Sequence, residues 1–468
     1  AHDIGKLQSL EATGMSRQPA GTVAEIFAGY CVRLRQEKPP VSAIHAAKRC
    51  LLDWYGGTIG GGTLPPATLL ADALAGGNGK ARLLPSGQTT DARTAALING
   101  AASHTMEVDD IYRPGVYHPG SPVISAAVAL ADETGASGEV LLAAIVAGYE
   151  VSNRIAAGVN PAHYTYWHTT GTVGHFGAAA ASSVVLGLDR AQTAHAITGV
   201  TTFAAGLRHA FATDAMSKAF HVGRAAEAGV LGALAARAGV TGVPDILEGE
   251  RGFGVAMSRD VDWSGMLADL GENYTIEGMT QKAHACCGHT FAAIDATQKI
   301  VADEKLSPDD IRQIKVKTYK AGVEICGRPD PKTPYEAKFS LQYTCALAAL
   351  QRPTAPSSFA PEKLDDPDVR SMMSRVLVEV EDGCEARFPL QRSAVVDITT
   401  TGGRTLSHFR PTRRGDPDDP LTDAELVSKF EMLSDPVIGT DHTRAIASAI
   451  WTAETLINAR SIHDVLSR

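Results

Sequence analysis

Thr170–Leu188 reads TGTVGHFGAAAASSVVLGL: apolar residues at helical spacing, no formal charge, and a run of Gly and Ala at Gly177–Ala181. Side chains this small let neighbouring helices approach closely, which suits a compact bundle of buried helices and not an amphipathic coat. The same character extends in both directions, from about Val41 to Arg237. Ser42–Tyr55 carries Ile44, Ala47, Leu51 and Trp54 on one stripe. Asp91–Met106, Ser121–Glu133, Glu139–Ala156, Arg190–Ala204 and Ser217–Ala238 read as further helices, punctuated by Gly or Pro. No heptad persists, so a coiled coil is not expected.

The pattern changes near Gly271. Short β-prone runs follow at Ile314–Thr318, Val376–Val380, Ala394–Thr400 and Thr405–His408, with helical patterns at Thr290–Lys305 and Tyr335–Leu350. Such a mixture predicts an α+β unit on one sheet. After the Pro/Asp-rich break at Asp416–Pro420, helical spacing returns over Asp423–Leu433 and Thr443–Ala459. The expected architecture is mainly α: a large all-helical domain from residues 20–270 and 411–468, with a smaller α+β domain inserted at 271–410.

The 468 residues suffice for two or three domains and a large core. A net charge of −9 with well-mixed signs argues against a nucleic-acid surface, which needs a basic patch. Seven cysteines, at 31, 50, 286, 287, 326, 345 and 384, show no paired metal-ligand spacing and fit reduced thiols in a cytoplasmic protein. No uncharged apolar stretch is long enough to span a bilayer, so no membrane role is expected. The polar first twenty residues read as an unstructured start. A GxGxxG after a strand, a GxxxxGK[ST] loop and a GxSxG elbow are all missing, which removes the phosphate cradles and the acyl-transfer serine.

Chemistry concentrates first in Ala102–Pro122, ASHTMEVDDIYRPGVYHPGSP, which packs two histidines, three carboxylates and two tyrosines between helices. His104, Glu107, Asp109, Asp110, Tyr112, Arg113 and His118 are costly to bury without partners, so they mark either an active-site loop or a solvated connection. His168 precedes Thr169 and Thr170 at a helix start, where donors and the dipole favour an anion; capping by the threonines is the plainer account. Lys218 and His221 are three apart and share a helix face. Lys282 begins the KAHACCGHT stretch, whose adjacent Cys286 and Cys287 read as packing residues. Tyr343 lies in a mostly apolar helical run.

Taken together, these segments resemble the MmgE/PrpD family, which includes 2-methylcitrate dehydratases, cis-aconitate decarboxylases and iminodisuccinate epimerases. The resemblance rests on NGAASH at 99–104 and its acidic run, on His118-Pro119, and on His168–Thr172. It continues through KAFHVGRAA at 218–226, LEGERGF at 247–253 and Lys282–Cys287, and covers roughly residues 20–460. It implies a helical domain with a lid-like α+β domain, a homodimer, and neither a metal nor an organic cofactor. It also implies a small anionic carboxylate substrate in a site between the domains. Carried over by position, it makes His118, His168, Lys218 and Tyr343 catalytic, and Glu107, Tyr112, Lys282 and His221 substrate-binding.

Some positions depart from the family pattern. Glu107 stands where an aspartate is usual, Ile111 where a threonine follows the acidic pair, and Phe291 where a histidine is frequent. The family's reactions share proton movement at a carbon next to a carboxylate. Epimerisation needs no acid for a leaving group, so the lost Asp and Thr point to an epimerase acting on an iminodisuccinate-like substrate. A lyase of the same family is the alternative, and a noncatalytic binding protein on this fold is the second.

Overall fold

Local capping chemistry sets many helix starts in the computed structural model, which describes residues 21–259 and 261–467. The expectation for residues 1–20 falls outside this range. Thr22 and Glu25 form a capping box before α1 (Val23–Glu37). α2 (Val41–Gly61) and α3 (Ala67–Leu74) follow. Asp91 accepts from the amides of Arg93 and Thr94 at the start of α4 (Ala92–Thr105), and Ser137 caps α6 (Gly138–Val159) after α5 (Gly120–Thr134). α7 (Thr169–Leu186), α8 (Arg190–Val200) and α9 (Ser217–Arg237) complete the run. By length and composition α6 could cross a membrane, yet 89% of its apolar window is buried, and it carries the Glu150–Arg154 pair at 3.3 Å.

Small residues bring α4, α7 and α9 together. A Cβ on Gly223 of α9 would meet the Leu97 carbonyl oxygen of α4 at 2.2 Å, and one on Gly229 would meet Ala178 of α7 at 2.3 Å. The helices therefore pack backbone to backbone at these points.

The later segment holds α10 (Phe291–Asp303), β1 (Ile311–Thr318), α11 (Leu341–Ala349), β2 (Val376–Val380), β3 (Ala394–Thr400) and β4 (Thr405–Arg410). The sheet order is β2-β1-β3-β4, with β1 parallel to β2 and antiparallel to β3. Val316 stands opposite both Val378 and Val396. Burial alternates strictly along β3, so one face lies on the core and the other is wetter. The helix expected over Tyr335–Leu350 is broken: a short turn, Pro334–Lys338, ends before Ser340, which caps α11.

Two apolar cores result. One is made by the helices; the other joins α10, α11 and the sheet, and it also takes in Met106, Val108 and Leu433. Glu107 is thus carried on a loop whose flanking side chains are sunk in the second core. α12 (Asp423–Ile438) packs on α2, and α13 (Thr440–Trp451) follows it. Lys429 of α12 stands 2.5 Å from Asp53 of α2 and donates to the Val108 carbonyl at 2.7 Å.

Candidate active site

A cavity of about 630 Å³ is walled on one side by the helical part, through Glu107, Ile111, His118, Tyr164, His168, Arg208, Phe211 and Lys218. The opposite wall comes from the α+β segment, through Lys282, Cys287, His289, Arg328, Tyr335, Phe339 and Arg392.

The loop between α4 and α5 organises the floor. One Asp109 oxygen lies 2.6 Å from His104 Nδ1 and 3.2 Å from His118 Nδ1, and accepts from Ser121 Oγ at 3.1 Å. Asp110, next in sequence, turns away into the helical core, where it accepts from the Tyr149 hydroxyl at 2.7 Å; burial and nearby Asp53 push its carboxyl up to about 7. His168 is the residue before α7, and its amide donates to the Gly206 carbonyl at 2.8 Å. Neither Thr169 nor Thr170 caps α7: the Thr169 hydroxyl accepts from Asn160 Nδ2 at 3.3 Å and the Thr170 hydroxyl from the His118 amide at 3.2 Å. Phe211 stands edge-on to the His168 ring with centroids 4.9 Å apart.

Glu107 links the two walls. Its carboxylate pairs with Lys218 on one side and lies 3.3 Å from Lys282 Nζ on the other; Lys282 also donates to the Glu107 carbonyl at 3.0 Å and stands 3.7 Å from Asp109. Burial alone would raise the Glu107 carboxyl, but the two ammonium groups outweigh it and hold it well below its usual range. Asp109 is likewise held low against burial, by His104, His118 and Lys282. Burial opposes the charge on Lys218, and Glu107 overcomes it and raises its pKa. Burial depresses His118 to about 4 despite Asp109, and drives His168 well below its ordinary value with help from His104 and Lys218. Both imidazoles are neutral near pH 7.

The structure therefore brings His118, His168, Lys218, Glu107 and Lys282 onto one cavity. It does not bring the other three expected residues there. Tyr343 is fully buried in α11, where its hydroxyl donates to the Ser358 carbonyl at 2.7 Å and its ring packs near Phe359. Tyr112 pairs its amide with the Tyr117 carbonyl at 2.7 Å and packs on the helical core. His221 stands behind His168, with Nδ1 atoms 3.4 Å apart, and not on the wall. Glu107 pairs with both Lys218 and Lys282, and Asp109 stands 3.7 Å from Lys282.

Motif reasoning missed Arg208, Arg328, Arg392, His289 and Tyr335 on the wall, because they sit in loops and short turns with no recurrent spacing. Cys287, read as packing, also lines the cavity, whereas Cys286 is sealed against Thr290 with its Sγ 3.2 Å from the hydroxyl. His104, Asp109 and His118 place ligand-type atoms within 4.8 Å of one another. The Asp109 oxygen between the rings is already hydrogen-bonded to Ser121, and the Lys282 ammonium faces the other oxygen. A proton-transfer array fits this arrangement better than a cation site.

Comparison with known proteins adds the lineage. The family model described as the MmgE/PrpD N-terminal domain matches residues 25–266, and the MmgE/PrpD C-terminal domain matches residues 284–455. The chain belongs to the MmgE/PrpD family. Among its relatives, human cis-aconitate decarboxylase is 27% identical over 77% of this chain and 76% of that protein. A cis-aconitate decarboxylase-like protein of Aspergillus oryzae is 24% identical over 96% of this chain and 98% of its own length. Cis-aconitate decarboxylase of Aspergillus terreus is 22% identical over 97% of each. Membership agrees with the mainly helical architecture. The similarity to decarboxylases favours a lyase over the epimerase expected from Glu107 and Ile111.

Proposed function

We propose that this MmgE/PrpD protein is a lyase that decarboxylates a small unsaturated polycarboxylate of the cis-aconitate type. The observation that carries the reading is the similarity, over nearly the whole chain, to proteins named cis-aconitate decarboxylase. Ile111 on the cavity wall supports it against dehydration, since a saturated side chain there cannot protonate a leaving hydroxyl.

The reaction needs one carbon–carbon bond to break and one proton to be added. As carbon dioxide leaves a CH2–carboxylate, the bonding pair forms a new C=C, and the old double-bond pair takes a proton at the carbon beside another carboxylate. A trianion plus one proton becomes a methylene dicarboxylate plus carbon dioxide. Charge passes through an enolate-like state, which Lys218 and Lys282 are placed to stabilise. His118 is the proton carrier: neutral in the free protein, it gains proton affinity when a polyanion enters, and Asp109 stabilises and orients its cationic form. His168 faces the same space and assists from the α7 end.

The test is incubation with cis-aconitate in D2O, followed by proton NMR and carbon dioxide release. The expected result is equimolar carbon dioxide and a methylene dicarboxylate carrying one deuterium. Deuterium exchange into a dicarboxylate without carbon dioxide loss would overturn the reading in favour of epimerisation. Water loss from 2-methylcitrate with cis-aconitate left intact would overturn it in favour of a dehydratase.

A further inference from the structure

The charges on the cavity wall divide unevenly. Near His118 and His168, the two lysines are matched by two carboxylates. The same lining also carries Arg208, Arg328, Arg392, His289 and the carboxylate of Glu324, and both Arg392 and Arg208 act on the His289 ring. Arg392, just before β3, is only 7% exposed, and among the described residues its Nε has no hydrogen-bond partner. Its neighbour Arg413 has taken the nearby carboxylate: Arg413 Nε and Nη2 reach the two Asp416 oxygens at 3.0 and 2.6 Å. Arg208 spends one donor on the Tyr164 carbonyl at 3.2 Å and lies over the Tyr164 ring. The Nδ1 of His289 is held by the Tyr319 hydroxyl at 2.6 Å. Burial first, and then the guanidinium of Arg413, works against the charge on Arg392, and the Glu324 side chain on the same lining is 62% exposed.

We propose that Arg392, assisted by Arg208, is a carboxylate subsite that holds a non-reacting carboxylate of the substrate. A planar guanidinium with free donors matches a carboxylate in a fork-to-fork arrangement, and most of the Arg392 surface is already out of water before the ligand arrives. A substrate with one carboxylate therefore cannot use both the subsite and the lysines. The subsite selects acids with at least two separated carboxylates, and it rests on the proposed function only for which of them reacts.

The test uses tricarballylate, a saturated tricarboxylate with no double bond to react, so the result is independent of catalysis. Binding is measured by calorimetry for the wild type, R392M and R392K, with valerate, which carries a single carboxylate, as the comparison and circular dichroism as the folding control. The wild type is expected to prefer tricarballylate to valerate. R392M should lose at least tenfold in tricarballylate affinity, erasing the preference, while R392K, which keeps the charge but not the fork, should fall between. If R392M is poorly folded, the R392K step alone still reads the subsite. Unchanged tricarballylate affinity in a folded R392M or R392K overturns the proposal. If cis-aconitate is not decarboxylated but the affinity pattern holds, the subsite stands and only the assigned reaction fails.

Discussion

Lys282 grips Glu107 twice, donating to its main-chain carbonyl at 3.0 Å and facing its carboxylate at 3.3 Å. Glu107 adopts φ +61°, a left-handed backbone that a side-chain-bearing residue rarely takes. Such strain, about 1–3 kcal/mol, persists only where surrounding contacts impose it. Here the contacts are Lys282, Lys218 and the buried neighbours Met106 and Val108. The Glu107 side chain thus has a geometric use: its carboxylate reaches both ammonium groups.

Removing that charge leaves two ammonium groups facing a buried amide. E107Q should cost about 3–5 kcal/mol, the range for breaking a buried ion pair by deleting one partner. Turnover should fall at least a hundredfold, because the lysine field is no longer balanced. E107D keeps the charge and should recover part of the stability. Urea unfolding and steady-state kinetics on both variants check this; wild-type behaviour in E107Q would show that the cluster is incidental.

The depressed His118 sets the alkaline side of the pH profile. It sits at about 4 in the free protein against an ordinary 6.5, so its neutral form already dominates well below pH 6. Because the protonated ring delivers the proton, kcat/KM should fall as pH rises above about 5, instead of holding to near 6.5. Because the proton needed for turnover arrives with the substrate, binding of a polycarboxylate at pH 7 should take up protons from the buffer. Calorimetry in two buffers of different ionisation enthalpy measures that uptake, and H118N should abolish it.

The same physics acts on stability at His175, which is buried in α7, with its pKa pushed down to about 4 and neither ring nitrogen partnered among the described residues. A group with a depressed folded pKa contributes its full share above the unfolded value of about 6.5 and loses it as pH falls toward 4. At pH 5 the loss is about 2 kcal/mol for this residue. H175L should therefore gain stability relative to wild type on moving from pH 8 to pH 5. Asp110 and Glu150, both raised to about 7, act in the opposite sense over the same window, so the comparison must be made between variants and not from the wild-type curve alone.

Tyr343 offers a separation of structure from chemistry. Its hydroxyl is spent on the Ser358 carbonyl, away from the cavity wall. Y343F should lower stability by about 1 kcal/mol and leave kcat/KM within twofold. A large loss of turnover in a folded Y343F would mean that the residue reaches the substrate in a state other than this one.

Periodicity exposed the buried helices because Gly and Ala runs recur where backbones touch, and the polar Ala102–Pro122 stretch pointed to Glu107 and His118; His168, Lys218 and Lys282 joined them through the family resemblance. Periodicity did not separate Tyr343 from Tyr335. Both lie in one apparent helical run, and only the break at Phe339–Ser340, where Ser340 caps α11, turns Tyr335 to the cavity and Tyr343 to the core. α1 also escaped the periodic reading, although Thr22 and Glu25 carry its capping signature. Arg392 had no legible signal, since its significance depends on Asp416 being occupied by Arg413, a fact of three-dimensional pairing.

The contact between Gly223 and Leu97 ties the helix packing to the site. α4 leads into the Glu107 loop, and α9 begins at Ser217 with Lys218 as its second residue, so the spacing of these helices sets the Lys218–Glu107 pair. A methyl group on Gly223 would meet the Leu97 carbonyl oxygen at 2.2 Å, and a backbone atom cannot rotate away. G223A should therefore push α9 from α4, cost about 1–3 kcal/mol by overpacking, and lower turnover beyond what the stability loss explains. G199A is the matched control: it lies in α8, no atom comes within 4 Å of the added methyl, and replacing a helix glycine gains about 0.5–1 kcal/mol. Equal kinetics in G223A and G199A would show that the Lys218–Glu107 pair tolerates a shift of α9.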